Sequence, residues 1–498
     1  MQRLALLPAN VLVTDISSEW LRYATPLVLA QDLAPARQLI VSVAPSESAV
    51  YEEHSSETLR TTITEGLGGI ELAANLATVA SQKSRNNVST RAQPFHIIAG
   101  LNELAKEIDG HATLFSTNSD HALELLVAGL TTADPQAKVA RLRAAIQADP
   151  SFGLAHIALV EALVTSKSPE AIAALRDGEA HRDSFTRLDK TRFNLFASQL
   201  SRAPLRQQIQ AATAVIQIDP NNADALGTLG SNLFLAGDAV QAQQALGRAV
   251  AISPDNATLR HQLAVGLVEA RQYGQAEKMF ASLGPNPAVL AETASCVLLA
   301  GDTARATSVF NKFLASVGNP DAKVLFRASW QALTGDRSGA IQQLSNRQMA
   351  DPRARELAVS QIVIWQLMDK QFDAARRTAA AQPTAPMALT LAARPASATE
   401  WTTRINGLAG TNEQTKQLLS AYGLYLYGFY AESAKAWTAI RDQSGDTDLR
   451  ARAMLAASLK AAGQTPEAAK VGVLPFLPEP GDLYSALSFG EMRKLIGG

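Results

Sequence analysis

The chain reads as mainly α: a solenoid of antiparallel helix pairs preceded by a small α/β domain. Three features of the sequence predict this. Alanines that open a short amphipathic pattern recur at Ala242, Ala276, Ala306, Ala340 and Ala374, spaced 34, 30, 34 and 34 residues apart. Each stands just past a turn, at Gly237-Asp238, Gln272-Tyr273, Gly301-Asp302, Gly335-Asp336 and Gln371-Phe372. The first 110 residues differ, alternating apolar runs of strand length with helix-period patterns.

Composition sets the outer limits. A chain of 498 residues is too long for one core, so several domains or a repeat array are expected. An apolar fraction of 47% with 18% charge suits a folded protein without long disorder. Alanine runs such as 211–214 and 379–381 favour closely approaching helices. Net charge is −1 and no basic cluster tracks a phosphate backbone, so a nucleic-acid partner is not expected. The single cysteine, Cys296, excludes an internal disulfide and a cysteine-rich zinc site. It sits in the mostly apolar run Ala294–Ala300 and reads as a small core residue. No run of 18 apolar residues exists, so no membrane span is expected. Leu4–Leu7 is followed at once by Pro8, without the core or cleavage site of a signal peptide. If Met1 is the native start the chain is cytoplasmic. If a signal or anchor was removed ahead of it, the chain is periplasmic or envelope-associated.

Element by element, Leu4–Leu7 is a strand buried on both faces. A helix follows through Trp20, Leu21, Ala24, Leu27 and Val28, with Pro26 inside it. Strands are predicted at Leu39–Val43, Thr61–Thr64 and Ile70–Val79, the last alternating Ile70, Leu72, Ala74 and Leu76, and a helix at Ile97–Ile108. The domain occupies residues 1–112.

The repeats are clearest at Ala223–Pro254. One helix runs through Leu226, Leu229, Gly230 and Leu233, and a second through Ala242, Leu246 and Ala249, stopped at Pro254. Endings of the same kind recur at Ala145–Pro150 and Val215–Pro220, with a divergent stretch Ser151–Asp183 between them. Downstream, Gly428–Ser433 and Gly463–Ala468 mark further pairs, while Gln382–Gly410 breaks the period and is expected to hold irregular helices. The array covers 117–475. Residues 476–498 form a carboxy-terminal segment, in which Leu483, Leu487, Met492 and Leu495 suggest a short helix capping the last repeat.

The repeat resembles the tetratricopeptide-repeat (TPR) family through Gly230, Ala242, Ala249 and Pro254, and in the next unit through Leu263, Ala264, Leu267, Ala276 and Phe280. The first domain resembles the amino-terminal domain of bacterial TolB. The matching residues are Arg3-Leu4-Ala5-Leu6-Leu7-Pro8, Ile63-Thr64-Glu65-Gly66, a hairpin of Ile70–Gln82 with Val88–Ala92, and Asn102-Glu103-Leu104-Ala105. Domains of that kind precede TPR arrays in bacterial kinases and regulators. The TPR resemblance implies a ligand groove lined by first helices, here Asp224, Ser231, Phe234, His261, Val265, Glu269, Ser295 and Leu298. The lysine and asparagine that grip a terminal carboxylate in some members are replaced by Gly227 and Ser231, so a chaperone-tail clamp is not expected.

Enzyme signatures are missing. There is no Walker phosphate loop, no nucleophile elbow and no His-Glu-x-x-His pair among the seven histidines. Gly66-Leu67-Gly68-Gly69 reads as a turn, and Glu52-Glu53-His54 as a solvated polar stretch. No cofactor or metal is expected. Tyr422, Tyr425 and Phe429 share a helical face and are candidate aromatic anchors, although packing between the last repeats explains them as well. The sequence thus points to a non-catalytic scaffold or adaptor that binds a protein or peptide. The alternative is a sensor whose amino-terminal domain binds a ligand or envelope component and signals through the repeats.

Overall fold

The computed structural model describes residues 2–13, 18–35, 39–52, 55–66, 69–479 and 481–497. They fall into two compact units. One comprises Met1–Ser201, Arg206–Leu229 and Arg248–Asn256; the other comprises Arg202–Leu205, Gly230–Gly247 and Ala257–Gly498.

The first unit opens with β1 (Gln2–Leu6), β2 (Asn10–Leu12), α1 (Leu21–Leu33), β3 (Leu39–Val43) and α2 (Glu47–Glu52). It continues with β4 (Glu57–Gly66), β5 (Gly69–Thr78), β6 (Ser84–Ala92) and α3 (Ile97–Ile108). The strand order is β3-β1-β4-β5-β6, with β2 pairing β4. β1 runs parallel to β3 and β4, whereas β4, β5 and β6 form an antiparallel meander that places Ile63 opposite Leu72. The short elements β2 and α2 were not foreseen. Three and six residues carry too little periodicity to stand out.

Pro26 lies inside α1 without ending it. A proline there lacks the N–H that would bond the carbonyl of Arg22. The amide of Ala9 takes that carbonyl instead, at 3.0 Å. Leu4, Leu6, Leu59, Ile63 and Leu72 of the sheet pack with Val28 and Leu29 of α1 and Leu101 and Leu104 of α3. The same apolar cluster continues into Leu123 and Leu126 of the first repeat helix and Phe152 just before the third.

Helix pairs then follow in chain order. They are Asp120–Thr131 with Pro135–Ala148, Gly153–Thr165 with Ala171–His181, Arg187–Leu200 with Leu205–Ile218, and Ala223–Leu235 with Ala239–Ile252. Next come Ala257–Glu269 with Tyr273–Ala281, Pro287–Leu299 with Thr303–Ser316, Pro320–Leu333 with Arg337–Ser345, and Pro352–Met368 with Phe372–Ala380. The last are Glu413–Leu426 with Tyr430–Gln443 and Leu449–Ala461 with Thr465–Ala469. The divergent stretch Ser151–Asp183 is thus an ordinary pair. The irregular stretch holds two short helices, Pro386–Ala392 and Ala398–Asn406.

The Gly-Asp turns have a double role. Gly237, Gly301 and Gly335 adopt positive φ at the end of a first helix, a conformation side chains resist. The following aspartate then caps the second helix: Asp238 accepts from the amide of Gln241, Asp302 from Arg305 and Asp336 from Gly339. Where glycine is absent, Arg271 and Lys370 take the left-handed position themselves. Ala242, Ala276, Ala306 and Ala340 are fully buried at 0% exposure, where neighbouring helices come closest. In the fifth unit the buried alanine is Ala375 rather than Ala374, so the period there is one residue longer.

Cys296 lies within the helix Pro287–Leu299, fully buried, its thiol directed at the carbonyl of Tyr273 at 3.5 Å. Burial pushes the thiol up to about 12. A thiol reagent at pH 8 is expected to leave native protein unlabelled and to modify one cysteine after denaturation; rapid native labelling would contradict this packing.

Candidate protein-binding surface

The helices Ala257–Glu269, Pro287–Leu299 and Pro320–Leu333 are successive first helices of the second unit and carry most of the expected groove residues. Ser231 and Phe234 precede them on Ala223–Leu235, as does Asp224, which is exposed in the first unit. Phe234 is buried, its ring filling the space left by Gly266, where a Cβ would stand 2.2 Å from it. His261 and Glu292 bridge neighbouring first helices at 2.9 Å, and this hydrogen bond raises the imidazole above its usual range. Val265 is half-buried, and so is Ser231, whose hydroxyl has no partner among the described residues. Ser295 bonds the carbonyl of Ala291 at 3.0 Å, and both it and Leu298 are buried.

Part of this surface, around Leu298, is covered by the chain itself. Arg452, on the helix Leu449–Ala461, donates to the carbonyl of Leu235 at 2.7 Å, to the Asp446 carboxylate at 3.0 Å and to the Asp446 carbonyl at 2.6 Å. The carboxy-terminal helix Ser485–Ile496 packs on both Leu449–Ala461 and Pro320–Leu333. Its Phe489 and Met492, with Phe476, share one apolar cluster with Ala294, Val297, Leu298, Trp330 and Leu333. The expected cap on the last repeat therefore reaches well beyond it, to helices of the middle repeats. Phe489, missed in the sequence, is 1% exposed, whereas Leu483 and Leu495 are only partly buried.

The candidate aromatic anchors meet the same segment. Tyr422 is buried and stacks on Tyr484 at 4.0 Å and 3°. Tyr425 is half-buried with its hydroxyl beside Glu491, and burial followed by that carboxylate holds the phenol well above its ordinary range. Phe429 is half-buried against the cluster that contains Trp437 and Tyr422. Leu298 and the aromatic residues Tyr422 and Tyr425, far apart in sequence, thus meet one carboxy-terminal element. No local periodicity could have announced that.

Glu269 sits in this covered region. Burial pushes its carboxyl up to about 8, although Arg452 draws it down. An unfolded glutamate titrates near 4.3. Between those values the folded chain holds a proton that the unfolded chain has lost, so this contribution is complete at low pH and fades as pH rises towards 8. Glu269→Gln is expected to flatten the fall. Its stability relative to wild type should grow by roughly 2–4 kcal/mol between pH 5 and 9, at about 1.4 kcal/mol per pKa unit, in urea denaturation at each pH.

Among the described residues no cluster of three or more His, Cys, Asp or Glu could hold a metal ion. No described helix is long and apolar enough to cross a membrane. Glu53 and His54, and Leu67 and Gly68 of the glycine-rich turn, lie outside the described residues.

Residues 233–288 match the family model of the tetratricopeptide repeat. Among solved structures the chain is similar to a tetratricopeptide repeat protein from Parabacteroides merdae, at 14% identity and a TM-score of 0.34, over 46% of this chain and 92% of that one. It is also similar to pilF of Pseudomonas aeruginosa, at 18% identity and a TM-score of 0.26, over 46% of this chain and 89% of that one. A third likeness is to a chain of the APC/C hetero-tetramer Cut9-Hcn1, at 12% identity and a TM-score of 0.29, over 79% of this chain and 80% of that one. No curated protein matches. The chain is mainly α, antiparallel helix pairs following one another in chain order behind a small α/β domain, with the tetratricopeptide repeat matched at 233–288.

Proposed function

We propose that the protein is a non-catalytic interaction scaffold. Residues 117–475 would present the repeat surface to a protein or peptide partner, residues 1–112 a second contact, and residues 476–498 a terminal segment of their own. The observation that supports this most directly is the run of paired helices around the TPR match at 233–288, whose first helices carry Ser231, His261, Val265 and Glu269 only partly buried. Non-polar surface between stacked helices is well suited to an amphipathic helix or an extended segment. The test is proximity labelling with the full chain. Recovery of a protein whose capture falls when Val265 is changed to Asp supports the reading, and recovery of nothing above background sinks it.

A second reading, a sensor, draws on a feature of the first unit and on the TolB resemblance. A cleft of about 310 Å³ is lined by Leu27, Gln31, Val41, Leu154, Arg192 and Asp219, among others. The side chain of Gln31 is buried, its Oε1 has no partner among the described residues, and its Nε2 donates to Ser116 at 2.6 Å. Arg192 and Asp219 pair at 2.9 Å in the same lining. An unsatisfied buried acceptor at a cleft invites a ligand that donates to it. Ala30 also lines the cleft, and Ala30→Trp would fill it. A sensor then loses its response while keeping its partner, whereas a plain adaptor changes in neither respect.

A further inference from the structure

We propose that the surface covered by the carboxy-terminal helix is a helix-binding site, and that a partner enters it as an amphipathic helix with aromatic, leucine and methionine anchors, displacing residues 476–496. The proposal rests on the scaffold reading and names the class of partner it takes.

Three observations converge. The occupant is already visible: Tyr484, just before the helix, and Leu487, Phe489 and Met492 on it are each at most 6% exposed, while the outward residue Lys494 is exposed. Its apolar residues fill two separate clusters, Tyr484 and Leu487 with Tyr422 and Leu325, and Phe489 and Met492 with Leu298 and Trp330. The receptor is therefore built from helices of four different pairs, Leu449–Ala461 included, and takes its ligand by apolar contact. This is the pattern of helix-in-groove recognition.

The attachment is of a kind that can let go. Between Ala469 and Ser485 the described residues form neither helix nor strand, so lifting the terminal helix breaks no repeat. The polar contacts holding it sit around the apolar seat: Asp482 with Arg450 at 3.1 Å, Glu491 beside Tyr425, and the Ile496 carbonyl accepting from Arg271 at 3.2 Å.

The fit is also imperfect. The Tyr484 hydroxyl is buried with no partner among the described residues, as is Oε1 of Gln331 on the receiving helix Pro320–Leu333. A buried donor left unmade weakens the seat. A partner with phenylalanine or leucine at that position binds better than the chain's own tail. The tail competes from a high effective concentration because it is tethered, and this makes the site selective for strong helices.

The experiment uses a fluorescent peptide of residues 476–497 and the full chain. The double variant Phe489→Asp/Met492→Asp is expected to bind the peptide at least about tenfold more tightly than wild type, whose own tail competes. A peptide carrying Tyr484→Phe should bind more tightly still, and one carrying both aspartates should not bind. Equal or absent binding by a double variant with wild-type circular dichroism overturns the proposal. If that variant fails to fold, hydrogen exchange on wild type decides. Faster exchange in 485–496 than in 287–299 and 320–333 supports an exchangeable occupant, and equal protection overturns it. Peptide binding with no cellular partner recovered would leave the helix site standing and remove the scaffold reading.

Discussion

Replacing Trp401 by alanine should cost the second unit about 3–5 kcal/mol, the range for deleting a fully buried aromatic side chain. Trp401 is 0% exposed, its indole N–H donates to the Ser420 carbonyl at 3.1 Å, and its ring lies 5.5 Å from that of Tyr427. It comes from the short helix Ala398–Asn406 and lies against Gly423 of the helix Glu413–Leu426, where a Cβ would stand 2.0 Å from the ring. That closeness supplies a test independent of cavity size. In a helix interior Gly→Ala ordinarily stabilises by roughly 1 kcal/mol. Here Gly423→Ala should destabilise, because the methyl group must push the indole aside. The two changes should also compensate: Trp401→Ala with Gly423→Leu should lose less than the sum of the single variants, the leucine entering the vacated space. Denaturant unfolding followed by tryptophan fluorescence and by circular dichroism measures both. Stabilisation by Gly423→Ala would show that the contact is not formed.

This contact also marks where the sequence stops being readable. The helix pairs were legible because 34-residue spacing, Gly-Asp turns and buried alanines act locally and recur; Gly237 and Asp238 do the same work as Gly301 and Asp302. The meander was legible because Ile70, Leu72 and Ala74 alternate along β5. Trp401 sits in the stretch where that period fails, because Pro386 starts a new helix after only a short interval and the unit shrinks to two brief helices. The covered groove was illegible for a different reason. Leu298 and Phe489 are joined only through tertiary packing, and nothing near either residue records the other. Family resemblance pointed to first-helix surfaces as a place for a ligand. It carried no information on which part of this chain lies there.

Arg452 is the second position where a single change should be severe. Its side chain is 5% exposed, and its hydrogen bonds tie the helix Leu449–Ala461 to Leu235 and to Asp446. Hydrogen bonds from a charged donor are worth about 1.5–3 kcal/mol each, and a buried carbonyl left without its donor adds a penalty. Asp446 is about half exposed and recovers hydration when the guanidinium is gone, which keeps the loss below the sum of all three. Arg452→Ala should therefore destabilise the second unit by about 3 kcal/mol near neutral pH. Arg452→Lys should fall between, since an ammonium keeps the charge but not the planar fork. The charge has a further effect that mere loss of packing would not produce. Arg452 draws the Glu269 carboxyl down against the burial that raises it to about 8. Without the guanidinium the folded-state value rises further. A group whose folded value exceeds its unfolded one loses its stabilising contribution as pH climbs through the folded value, so that loss should move to higher pH in Arg452→Ala. Urea midpoints between pH 6 and 10 read this directly. A variant that is weakened equally at every pH would mean that Arg452 acts by packing alone and that Glu269 does not feel its charge.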